Sequence, residues 1–246
     1  MAADGGAPGE TRLAGHTEDV GSADLTSWTL ILGAATGSPL DRETFSVRYA
    51  PAIRAYLAAR WRLDVNHDGV LDATQDVMVE CFKDGGALSR VDPGCAGGFR
   101  AFLYGVVRNV ALMAERRLAR RREVDPGAAF DIDQVQRDEA TLSLVFDRAF
   151  ARAVARQARE LLARRSIRSP AAELRFRALA LQFENCLLPR DVAAALGLPA
   201  ERVYELLKEA RREYRQALLD VVGSLHPDCG REEIEQRCVE LMQRLA

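Results

Sequence analysis

In residues 99–122, FRAFLYGVVRNVALMAERRLARRR, apolar side chains recur at Phe99, Phe102, Leu103, Val106, Val107, Val110 and Met113. That three-and-four spacing describes one buried face of a continuous helix. Within the run Arg100, Arg108, Arg116, Arg117, Arg120, Arg121 and Arg122 are offset only by Glu115. Its far end is therefore strongly cationic and able to neutralise phosphates. A solvated surface helix leading into a linker is the plainer reading of the same residues.

The rest of the chain must support such a helix. At 246 residues, 48% hydrophobic and 28% charged, it is long enough for one or two cored domains. A net charge of -2 excludes a uniformly basic protein, so any nucleic-acid contact must come from local patches. Cys81, Cys95, Cys186, Cys229 and Cys238 form no C-x-x-C pair, and their odd number does not suit a disulfide framework. The opening residues lack a signal-peptide pattern and no segment is apolar for long enough to span a bilayer, so a soluble, cytoplasmic protein is expected. His16, His67 and His226 lie far apart, with no nucleophile or metal ligands at motif spacing, so neither an enzyme site nor a cofactor is expected.

Residues 1–23 are rich in Gly, Ala and acid and are expected to form a disordered tail. A short helix follows from Leu25, with Gly33 or Gly37 as its stop. A second helix from Asp41 aligns Phe45, Tyr49, Ile53, Tyr56, Leu57 and Trp61 on an aromatic face, with a kink available at Pro51. A third, over 73–83, bears an acidic side of Asp72, Asp76 and Glu80. Between them DVNHDG matches the opening of a calcium loop, but Gln75 stands where a bidentate carboxylate closes such loops; an Asn/Asp/Gly turn fits equally. SRVDPGCAGG is a loop by its Pro and Gly content.

After Arg122 an acidic linker is expected over 123–140. A long helix over 141–165 then turns Leu144, Val145, Phe146, Phe150, Val154, Leu161 and Leu162 inward, and the next, from Ala172, turns in Leu174, Leu179, Leu181 and Phe183. Pro189 suits the first turn of a short helix, Gly197 a left-handed turn, and Ala200 the start of another helix. Val192, Ala193 and Leu196 facing Val203, Leu206, Leu207 and Ala210 give two helices that pack steeply, the pattern of a helix-turn-helix, although an ordinary helical hairpin shares it. Residues 223–246 are expected to hold an amphipathic helix with Ile234, Cys238, Leu241, Met242 and Leu245 inward. The fold class is all-α: helical domains at 24–122 and 141–222 joined by a flexible acidic linker, the second containing the helix-turn-helix.

The order of these motifs resembles the sigma-70 family of RNA polymerase sigma factors, extracytoplasmic-function type. DATQDVMVECF resembles the acidic helix of sigma domain 2, FRAFLYGVVRNVALMAERRLARRR its melting and minus-10 helix, and RDVAAALGLPAERVYELLKEARREYRQAL sigma domain 4. VDPGCAGGFRAFL, YRQALLDVV and the acidic-apolar end look most like a subgroup common in planctomycete-type bacteria.

The resemblance implies docking of Asp72, Asp76 and Glu80 on the clamp helices of the core polymerase β′ subunit. It further implies minus-10 and melting contacts from Phe99, Phe102, Tyr104, Arg108, Asn109, Arg116 and Arg117, and minus-35 contacts from Arg202, Tyr204, Lys208, Arg211 and Arg212. Promoter DNA and core polymerase are then partners, an anti-sigma factor a further one, and no membrane is involved. Tyr204, Glu205, Leu206 and Glu209 stand where relatives more often carry Lys, Ser, Arg and Arg, which weakens phosphate attraction there. The competing readings are a stand-alone helix-turn-helix regulator and a helical interaction or calcium-responsive module.

Overall fold

The computed structural model describes residues 27–92, 94, 97–124 and 138–245. The expected tail at 1–23, most of the expected linker and Cys95 lie outside these residues. Among the described residues the secondary structure is helical, with no strand.

Helix α1 (Ser27–Ala35) does not stop at Gly33, which instead admits the Asp41 carboxylate so closely that a Cβ would overlap it. Helix α2 (Pro39–Trp61) starts earlier than Asp41 because Ser38 accepts a hydrogen bond from the Asp41 N–H at 3.4 Å and Pro39 occupies the first turn. Pro51 is accommodated inside it. Helix α3 (Asp68–Phe82) also starts early, since the His67 ring accepts from the Gly69 N–H at 3.1 Å. Gly69, Leu71 and Gln75 are thus helical, and Asp64 caps a local turn by accepting from the Asn66 N–H at 2.8 Å. The calcium-loop alternative gives way to the turn.

Past a short 3-10 turn at Leu88–Arg90 come α4 (Gly98–Val124) and α5 (Glu139–Ser166). Both ends of the expected linker therefore belong to helices, with Asp138 capping α5 through the Ala140 N–H at 3.1 Å. The chain continues through α6 (Pro170–Phe183), α7 (Pro189–Leu196), α8 (Ala200–Leu225) and α9 (Arg231–Leu245). Gly197 sits at φ 64°, ψ 34°, the left-handed geometry that lets its N–H close the end of α7.

The helices do not sort into the two expected cores. One continuous core takes side chains from α1 to α6 together with α8 and α9. Its centre is aromatic: Tyr49 lies 4.8 Å from Phe45 and 5.1 Å from Phe99, and stacks at 5.9 Å on Phe150 of α5. Phe146 reaches Tyr104 at 5.4 Å. At the far end the Trp28 indole donates to the Leu225 carbonyl at 3.2 Å. The aromatic face of α2 is broader than α3 and α4 alone cover, and the apolar stripe of α5 completes it. A smaller cluster joins α6, α7 and α8 through Ala178, Val192, Ala193, Val203, Leu206 and Leu207.

Four residues expected to face inward do not. Met242, Met113, Phe183 and Leu144 are 45%, 48%, 64% and 66% exposed. Leu144 lies two positions from both Leu142 and Phe146, which take the buried face, so helical geometry turns it outward. Met242 lines an open apolar groove between α8 and α9 with Leu218, Leu219 and Val239.

Candidate nucleic-acid interface

Two left-handed glycines, Gly97 at φ 80° and Gly98 at φ 64°, bring the chain into α4, with the His226 ring against Gly98. Burial first, and then nearby Arg237, hold the His226 imidazole below its ordinary pKa, with Glu233 opposing.

Along α4 the candidate residues divide by environment. Phe99 is 0% exposed, ringed by Trp28, Phe45, Tyr49 and Phe102, so it is a core residue rather than a strand-contacting one. Phe102 is half-buried. Tyr104 donates its hydroxyl to Glu139 at 2.9 Å, and Arg108 forms an ion pair with the same carboxylate at 3.2 Å. Asn109, Arg116 and Arg117 are exposed; Arg117 reaches Asp76 of α3 at 3.3 Å, an ion pair open to solvent and hence weak. Arg116 makes no ion pair among the described residues.

Two residues that sequence reasoning did not single out, Arg60 and Glu139, organise this face together with Glu115. Arg60, 4% exposed, donates to both carboxylate oxygens of Glu115, at 2.6 and 3.2 Å, and to Glu139 at 3.0 Å. It also donates to the Tyr56 hydroxyl at 3.2 Å, while the Trp61 indole donates to Glu115 at 2.9 Å. Burial alone disfavours the Arg60 charge, but Glu115, Tyr56 and Glu139 outweigh it and hold the guanidinium firmly protonated. For Glu139, burial raises the pKa, yet hydrogen bonds from Tyr104, Arg60 and Arg108 bring it below the usual carboxylate range. Burial and then Glu139 push the Tyr104 phenol well above its ordinary value. The one signal in the sequence was Glu115 itself, an isolated acid in a basic run.

The chain matches no family model and no curated protein.

On α3 Asp72 and Asp76 are exposed and Glu80 partly so, stacked four residues apart on one face. Glu80 is tied to Lys83 at 2.6 Å. On α8 the buried residues Val203, Leu206, Leu207 and Ala210 leave Arg202, Tyr204, Lys208, Arg211 and Arg212 on the outer side, all exposed. Arg202 is tied to Glu205 and Arg211 to Gln182, each at 2.9 Å; Lys208 and Arg212 make no ion pair among the described residues.

Among the described residues no cluster of His, Cys, Asp or Glu is placed to hold a metal. The cysteines there are free, and burial, helped by Glu80, pushes the Cys81 thiol up to about 12, far from a reactive thiolate. No described helix is long and apolar enough to cross a membrane.

Proposed function

We propose that this chain is an RNA polymerase sigma factor of the extracytoplasmic-function type, acting in the cytoplasm as a specificity subunit rather than an enzyme. The observation that carries the reading is an ordered set of outward-facing charged surfaces. The acidic side of α3 comes first, the cationic end of α4 second and the polar outer face of α8 last, in the order in which a sigma factor meets core polymerase, the minus-10 region and the minus-35 region. Asp72, Asp76 and Glu80 supply charge for the β′ clamp helices. Asn109, Arg116 and Arg117 supply the phosphate and base-edge contacts of α4, joined by Phe102, Tyr104 and Arg108 once these are free.

In the α7–α8 pair, a helix-turn-helix, Arg202, Tyr204, Lys208, Arg211 and Arg212 face the minus-35 major groove. Glu201, Glu205 and Glu209 share that surface and lower its attraction for phosphate, so the cations of α4 carry more of the DNA affinity. An anti-sigma factor is a further partner of such a protein.

The test is the double substitution Arg116→Ala and Arg117→Ala. Promoter-directed transcription by the reconstituted holoenzyme is expected to fall on the order of tenfold, and the salt-dependence slope of promoter binding by about 2, as for two lost phosphate contacts. Core polymerase binding is expected to stay unchanged. Transcription at the parental level would exclude α4 as the minus-10 helix, and a footprint on duplex DNA without core would favour a stand-alone regulator.

A further inference from the structure

Helices α2 and α5 run antiparallel, Arg60 meeting Glu139, Tyr56 meeting Phe146 and Tyr49 meeting Phe150 in turn. Past Tyr49 an open cleft of about 420 Å³ lies between them. Its size falls within the range of roughly 300–1,000 Å³ that small-ligand sites occupy.

Three kinds of side chain line the cleft. Leu40 and Val47 stand two turns apart on one side of α2, and each is 71% exposed. Gln157 of α5 is only 6% exposed, and its buried Nε2 has no hydrogen-bond partner. Arg48, Arg156 and Arg164 border the cleft without an ion pair among the described residues, although Glu43 and Glu160 lie beside them. A solvated charged face accounts for the arginines but not for a buried amide left unpaired, which is costly. An apolar partner would cover Leu40 and Val47 and leave the amide and the cations unmet. An inorganic anion would satisfy the arginines alone. A ligand that meets all three needs carries a flat heteroaromatic body with polar edges and an anionic end.

We infer that this cleft binds an adenine nucleotide, base inward and phosphate outward. The base covers Leu40 and Val47, and the Gln157 carboxamide reads its edge, donating to N7 and accepting from the N6 amino group. The last torsion of a glutamine is soft, so the amide turns to offer its N–H to the entering base. Arg48, Arg156 and Arg164 hold the phosphate by charge-assisted hydrogen bonds. Glu43 and Glu160 oppose the phosphate but suit the ribose hydroxyls, which donate to carboxylates. The cleft shares no residue with the surfaces proposed for core polymerase and DNA, and its occupancy is independent of the sigma-factor reading.

The experiment is a calorimetric titration of the full chain with AMP, CMP, adenosine and inorganic phosphate. AMP is expected to saturate below about 1 mM and to bind on the order of tenfold more tightly than each of the other three, which lack the base edge, the phosphate or the base. Gln157→Leu replaces an unpaired amide with an apolar side chain, so the thermal midpoint is expected to hold or rise while AMP affinity falls on the order of tenfold. Arg156→Gln with Arg164→Gln, both exposed positions, is expected to weaken AMP and leave adenosine unchanged. AMP that does not saturate, that binds no better than phosphate or CMP, or that binds both variants as it binds the parent overturns the proposal. A lower midpoint for Gln157→Leu overturns it as well, since the amide would then be a structural group.

Discussion

Glu115→Ala is expected to destabilise the protein by about 3–5 kcal/mol, the range for removing one partner of a buried ion pair. Glu115 is 16% exposed and accepts from Arg60 at 2.6 and 3.2 Å and from the Trp61 indole at 2.9 Å. Without it Arg60 retains, among the described residues, only Glu139 and the Tyr56 hydroxyl, and Trp61 loses its carboxylate acceptor. The damage comes from stranding a buried guanidinium, not from forfeiting a large net attraction. Replacing both members with apolar residues, Arg60→Met and Glu115→Leu, is therefore expected to recover most of the loss. Urea unfolding of the single and double variants decides this; a loss below about 1 kcal/mol for Glu115→Ala would place the pair among ordinary surface salt bridges.

Phe99→Ala is the second large effect, also about 3–5 kcal/mol, the usual cost of emptying a phenylalanine site in a core. The ring touches Trp28 and Phe102 as well as the Phe45 and Tyr49 pair, linking α1, α2 and α4. Thermal unfolding compared with DNA binding separates the two roles that an aromatic at this position could have. The core assignment requires a lower midpoint for Phe99→Ala, with Phe99→Leu intermediate. A variant of full stability that fails only in strand binding would return Phe99 to the interface.

The contrast between Phe99 and Tyr104 shows what was legible in the sequence. Periodicity placed both on a helix, and the run from Phe99 onward was expected to have one buried face. Periodicity does not say what covers that face. Phe99 turns toward α1 and α2, while Tyr104 turns toward α5, whose position depends on contacts that span long stretches of chain. Arg60 meets Glu115 across 55 positions and Glu139 across 79, and no local pattern encodes such pairs.

Local chemistry, by contrast, was readable. Pro189 opens α7, Gly197 closes it in a left-handed conformation, and the aromatic stripe of α2 is buried throughout. Separate domains were expected because the acidic stretch after Arg122 reads as a linker. That stretch says nothing about affinity between the elements it joins, and the Phe146 and Phe150 face of α5 is as well suited to α2 as to a core of its own. The exposure of Asp72, Asp76, Arg116, Lys208 and Arg212 was legible because charge placed opposite an apolar stripe must face water.

A titration of core RNA polymerase into the fluorescently labelled full chain bears most directly on whether this is a sigma factor. Saturable binding at or below about 1 μM is expected, weakened by charge reversal at Asp72 and Asp76 and unaffected by Arg116→Ala with Arg117→Ala. Absence of binding at that concentration, or binding indifferent to the two aspartates, would contradict it.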